Sequence, residues 1–124
     1  MLDRVPPQNI EAEQSVLGAV LIEQSAIAKI SDILTAEDFY REAHRLLYRA
    51  AMGLFERGEG IDFITVTDVL RRENSLEKVG GISYITSLAN GIPTAANITF
   101  HAKLVQEKAL LRRLINAATD IAAM

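Results

Sequence analysis

A chain of 124 residues, 49% hydrophobic and 23% charged, has the length of one domain and enough apolar material to bury a core, which excludes a disordered segment. Sixteen Asp and Glu against thirteen Lys and Arg leave a net charge of −3, and aromatics are 6% with no Trp, so a phosphate-gripping or base-stacking nucleic-acid surface is disfavoured. Zero cysteines exclude disulfides and thiolate metal sites, no signal peptide is evident, and the longest apolar run, Leu17 to Ile22, is far short of the roughly 20 residues that cross a bilayer; a cytoplasmic, non-membrane protein is the expectation.

Pro6-Pro7 gives an extended start, and Asn9 then reads as an N-cap for a first helix to about Ile22, with Glu11 and Glu13 near its positive end. Ser25 is placed to cap a short second helix carrying Ile27, Ile30, Ile33 and Leu34, and Thr35-x-x-Asp38 reads as a capping box before Phe39-Tyr40. From about Arg41 to Arg57, Ala43, Leu47, Ala50 and Leu54 recur on one helical face, with Leu46 and Phe55 beside it, and Gly58 suits a left-handed stop. Thr65-x-x-Asp68 opens another short helix through Arg72. The β-branched residues Ile61, Ile64, Thr65, Val66 and Thr67 offer a strand instead, but no second alternating segment exists to pair with it, and helix is favoured. A further helix over about Ser83 to Ala89 is closed by Asn90-Gly91, and Pro93 separates it from a last helix that begins after Thr94 and meets no breaker before Met124. The expected fold is all-α: five to six short helices and one long terminal helix.

That last helix changes faces. At about 100° per residue, Ile98, Ala102, Val105 and Ala109 share a narrow side, which Arg112, Arg113, Asn116 and Asp120 continue as polar. Leu111, Leu114, Ile115, Ala118, Ile121 and Ala122 gather on roughly the opposite side, where Leu104 already points. One core cannot cover both sides of a straight helix, so the second stripe requires another surface: a downstream helix folding back as a hairpin, self-association, or both.

Chemistry-bearing motifs are weak. Gly53-Leu-Phe-Glu-Arg-Gly58 has the glycine spacing of a phosphate loop, but Glu59 and Gly60 stand where Lys and Ser or Thr belong. His44 and His101 have no partner at metal-ligand spacing and are read as polar surface or interface residues. Ser15, Ser25 and Ser31 lack a nucleophile-elbow context, and the pairs Glu11/Glu13 and Glu37/Asp38 are explained by helix N-termini. Arg112-Arg113 reads as a solvated or ion-paired face; a nucleic-acid-binding module using Arg71-Arg72 and Arg112-Arg113 is the alternative. Tyr84 is either a core-edge tyrosine or a docking aromatic.

The stretch from Leu76 through Gly80-Gly81-Ile82-Ser83-Tyr84 to Gly91-Ile92-Pro93-Thr94-Ala95-Ala96-Asn97, together with Ile10 to Val20 and Glu37-Asp-Phe-Tyr-Arg-Glu-Ala-His44, resembles the amino-terminal domain of bacterial replicative DNA helicases of the DnaB type. The resemblance runs from Arg4-Val-Pro-Pro to Leu110-Leu-Arg-Arg-Leu-Ile115. It implies a parent that is a homohexameric helicase unwinding duplex DNA in replication, with ATP and magnesium in a motor domain beyond this chain, which would itself carry no cofactor, metal or catalytic residue. Residues 1–97 would be the globular body of a collar and 98–124 the start of a helical hairpin. The resemblance implies partner-binding roles for Tyr84, Ile115, Ile121 and Glu11 toward the C-terminal helicase-binding domain of primase. Leu104, Leu111, Leu114, Ala118 and Ile121 are the candidates for self-association. A helicase loader is a further possible partner, and direct nucleic-acid contact is not expected.

Overall fold

In a computed structural model that describes residues 5–92 and 94–124, the central element is α1 (Ile10–Ile22). Asn9 caps it as expected, its side-chain oxygen accepting the Ala12 N–H at 3.0 Å. Past the first turn the helix is apolar on nearly every side, with Val16, Leu17, Ala19, Val20 and Leu21 buried. A helix without a polar face must be wrapped. Three others wrap it: α2 (Glu42–Glu56), α4 (Gly81–Asn90) and α5 (Ile98–Ala122), while α3 (Phe63–Arg72) packs across α2 and α4. No strand occurs among the described residues.

Three connections differ from expectation. Ser25 caps nothing: Glu23 precedes a 3-10 segment, Gln24–Lys29, and turns carry the chain to Leu34. Three residues per turn bring Ile27 and Ile30 onto one line, and both are fully buried with Leu34 close behind, so core burial sets this geometry rather than a cap. The helix α3 starts one turn before Thr65. Asp62 is its cap, accepting the Thr65 N–H while the Thr65 hydroxyl accepts the Asp62 N–H, both at 2.9 Å. Starting there places Val66, Val69 and Leu70 together on the buried face, which a strand could not do. α4 likewise begins at Gly81 rather than Ser83, with Gly80 in the left-handed region at φ 103. Pro93 lies outside the described residues.

The other local signals act as read. The Asp38 carboxylate accepts the Thr35 N–H at 2.9 Å across a single 3-10 turn, Ala36–Asp38. α2 buries Leu47, Ala50 and Leu54, leaves Ala43 and Leu46 half-buried, and stops where Gly58 (φ 70) and Glu59 donate to the carbonyls of Phe55 and Leu54.

Two positions tie the packing together. Gly18 lets α4 approach α1, since a Cβ there would stand 2.5 Å from the Leu88 carbonyl oxygen. Tyr48 is fully buried and donates its hydroxyl to the Leu34 carbonyl at 3.3 Å. Burial, with the Asp38 charge second, pushes the Tyr48 phenol far above its ordinary value.

Gly18→Ala is expected to lower stability by about 1–3 kcal/mol in urea unfolding, because backbone must shift to admit one methyl. Above about pH 10 the unfolded chain releases a Tyr48 proton that the folded chain keeps. Stability present below that pH is therefore lost as pH rises, by about 1.4 kcal/mol per unit from this group. The slope should be shallower by that amount in Tyr48→Phe, measured by urea unfolding at successive alkaline pH values.

Candidate partner-binding surface

Along α5 the buried residues are Ile98, Ala102, Val105 and Ala109, and none beyond. Leu111, Leu114, Ile115 and Ile121 are 38%, 58%, 51% and 70% exposed, and Ala118 is exposed between them. Leu104 is half-buried at the start of the same stripe. Leu104, Leu111 and Ala118 are seven residues apart, as are Leu114 and Ile121, and a seven-residue apolar repeat is the pattern of a helix that pairs with another along a seam.

The projecting half is fixed at its base by arginines. Arg112 continues the buried side of α5, where its guanidinium donates to the Pro7 carbonyl and the Asp38 carbonyl, both at 2.7 Å, and lies 5.4 Å from the centroid of the Tyr40 ring. Arg113 donates to the nearly buried Asp38 carboxylate at 2.8 Å. Arg112 is therefore an anchor to the body, while Arg113 keeps an exposed side chain and makes the ion pair that the sequence reading allowed. Beside it a groove of about 520 Å³ opens between Val5, Pro6 and Pro7 on one wall and Arg112, Ile115 and Asn116 on the other.

A second polar cluster lies on α1, α2 and α4. Glu13 and His44 are 1% and 0% exposed. The Glu13 carboxylate accepts the Tyr40 backbone N–H and a hydrogen bond from His44 Nδ1, each at 2.7 Å. The other imidazole nitrogen, Nε2, accepts from the Tyr84 hydroxyl at 2.6 Å, and that hydroxyl in turn accepts from Gln14 Nε2 at 3.3 Å and Arg41 Nη1 at 3.4 Å. With its hydrogen on Nδ1 the imidazole satisfies both neighbours. A carboxylate, an imidazole and a hydroxyl in this order can relay a proton, but the phenol here is held by two further donors and closes a packing network.

His44 is thus buried, not a surface residue, and Glu13 does far more than sit at a helix N-terminus. Both occupy inward registers, Glu13 with Val16, Leu17 and Val20 on α1, and His44 with Leu47, Tyr48 and Ala51 on α2. That shared register was the available sequence signal. Tyr84 proves half-buried, and Glu11 is exposed on the rim of a cleft of about 310 Å³ between α1 and α4 that Gln14, Ser15, Ser87 and Ile92 also line. The surface candidates fall in two places: Tyr84 and Glu11 on the α1–α4 side, Ile115 and Ile121 on the projecting helix. His101 is half-buried, edge-on to the exposed Phe100 ring. Among the described residues there is no cluster of three metal-ligating side chains, and no helix is long and apolar enough to cross a membrane.

The fold and surface together define an all-helical domain that holds half of its longest helix outside its own core. Residues 5–107 match the family described as DnaB-like helicase N terminal domain, and the chain belongs to that family. It is 55% identical over 120 residues to the replicative DNA helicase DnaC of Bacillus subtilis (strain 168) and 50% identical over 120 residues to the replicative DNA helicase DnaB of Geobacillus stearothermophilus. Each match covers 97% of this chain and 26% of the relative, so the chain spans about a quarter of those helicases. The crystal structure of the N-terminal domain of DnaB helicase from Mycobacterium tuberculosis superposes with a TM-score of 0.93 at 45% identity, covering 96% of this chain and 83% of that one. A structure described as a DnaB-like replicative helicase and its interactions with primase matches with a TM-score of 0.82 at 30% identity, over 93% of this chain and 26% of that one. What these relatives share with the chain is the N-terminal domain of the helicase and not its motor.

Glu13→Ala removes the one acceptor shared by Tyr40 and the buried imidazole. The expected loss is about 3 kcal/mol in urea unfolding, since a polar partner is stranded where water cannot reach it.

Proposed function

We propose that this chain is the collar of a hexameric replicative DNA helicase: an interaction and oligomerisation domain that shapes the ring and docks the C-terminal helicase-binding domain of primase. The observation that carries this reading is the exposed apolar seam of α5, in a helix whose first half is part of the core. Each large apolar side chain left in water forgoes about 1.5–3 kcal/mol of burial, so a helix with several of them on one stripe is built to be covered. In this reading 1–97 with the buried turns of α5 forms the body, and 98–124 is the first arm of a helical hairpin that pairs neighbouring subunits through Leu104, Leu111, Leu114, Ala118 and Ile121. Primase meets Ile115 and Ile121 on that arm and Tyr84 and Glu11 on the body. The relative whose structure is described with its primase interactions supports the same partner. A helicase loader is a further partner of the assembled ring.

The parent unwinds duplex DNA in the cytoplasm with ATP and magnesium held in a motor that follows this domain. The collar itself makes no direct nucleic-acid contact. The alternative nucleic-acid reading used Arg71, Arg72, Arg112 and Arg113, yet Arg112 and Arg113 are committed to Pro7 and Asp38 and Arg72 pairs with Asp68 at 3.1 Å on α3, so that among the described ion pairs and hydrogen bonds only the exposed Arg71 side chain of the four takes no part.

Ile121→Glu places a charge on the exposed stripe, well away from the core. It should leave the helical circular dichroism and melting temperature within error of the parent chain, while weakening primase binding at least tenfold in calorimetry or shifting sedimentation toward monomer. Unchanged primase affinity with unchanged oligomeric state would refute the assignment.

A further inference from the structure

Tyr84 is half-exposed, yet it is held from four sides. Its hydroxyl donates to His44 and accepts from Gln14 and Arg41. Its ring lies nearly parallel to the imidazole, 9° between planes with centroids 6.0 Å apart, and the Arg41 guanidinium carbon is 5.6 Å from the ring centroid. On the backbone side, Gly80 leaves room that a side chain would take: a Cβ there would come within 2.9 Å of the Tyr84 Cβ, at a φ of 103 that disfavours any other residue. Ordinary surface tyrosines hop among rotamers. This one cannot do so without breaking bonds to a buried imidazole.

The buried pair behind it is an unusual expense. An apolar pair in place of Glu13 and His44 would fill the same space without desolvating a carboxylate, and such replacements are commonly neutral or stabilising. Neither residue of that pair reaches the surface. The outermost group the pair controls is the phenol of Tyr84. Glu13 also accepts from Tyr40, whose ring lies beneath Arg112 at the base of the projecting helix, one turn before Ile115. One carboxylate therefore stands between the two places where the candidate contacts lie.

We propose that Glu13 and His44 are positioning residues of the docking surface: they preset the Tyr84 side chain and hold it in register with the Arg112 anchor of α5. The inference rests on the reading that Tyr84 meets primase, and it adds two residues that primase never touches. Ordering a flexible side chain at an interface lowers affinity about two- to tenfold, and here that ordering is complete before the partner arrives.

The test compares binding of purified primase C-terminal helicase-binding domain, by calorimetry, to the unmodified chain, Tyr84→Ala, Tyr84→Phe, His44→Leu and the Tyr84→Ala/His44→Leu double variant. Tyr84→Phe keeps the ring and loses all three hydrogen bonds of the hydroxyl. It should fold normally and bind about two- to tenfold more weakly than the unmodified chain. His44→Leu should weaken binding similarly, and should add nothing in the Tyr84→Ala background, whereas a purely structural loss would add in full. If His44→Leu does not fold, Tyr84→Phe decides alone. Wild-type affinity for Tyr84→Phe, or full additivity of His44→Leu with Tyr84→Ala, overturns the positioning role while leaving the docking reading intact. Wild-type affinity for Tyr84→Ala removes Tyr84 from the docking surface, and this inference goes with it.

Discussion

A carboxylate buried in the middle of an apolar helix bundle persists only where hydrogen-bond donors converge on it, and the organisation of this domain follows from meeting that condition at Glu13. Both donors flank the start of α2: the backbone of Tyr40 in the link before it and the imidazole of His44 in its first turn. Through the imidazole the requirement extends to Tyr84 on α4. Apolar packing alone would tolerate some sliding of these helices on α1. A set of 2.6–2.7 Å hydrogen bonds does not, because each has a direction as well as a distance. The bundle is thereby fixed in rotation as well as in contact.

The second constraint is the change of face along α5. Its inner stripe is apolar through Ala109 and then becomes Arg112, so the register that buried a core is continued by a group that seeks carbonyls. Asp38 is central to this arrangement. Its backbone oxygen and its carboxylate receive the two arginines, the same carboxylate closes the turn from Thr35, and its charge bears on the Tyr48 phenol. A single acidic residue in a three-residue turn thus joins the connection between α1 and α2 to the last helix of the chain.

Much of this was legible from the residues. The four inner positions of α5 were named by periodicity, and they are the four that are buried; Asn9, Gly58 and the Thr35–Asp38 box were read from local cap chemistry, which depends on neighbours within a turn. The failures share a cause. Ser25 and Thr65 satisfied cap patterns, but the starts were decided by which residues had to reach the core, and that is settled by partners distant in sequence. The Glu13–His44–Tyr84 cluster was missed for the same reason, since it joins residues 31 and 40 positions apart. Polar residues in inward registers on two helices were visible, but their pairing required the fold. Ile115 and Ile121 lay on a stripe that periodicity had set apart from the body, and they are exposed there; Tyr84 read from the residues as either a core-edge or a docking aromatic, and Glu11 rested on family likeness alone.

The Arg112 clamp has a mechanical corollary. Past it, α5 runs on as an unsupported rod of about 15–20 Å, so a pivot of only about 6° at the clamp swings the far end through about 2 Å. Two guanidinium groups at the fulcrum consequently govern where Ile121 is presented, and small adjustments of Pro7 or Asp38 would be magnified at the tip.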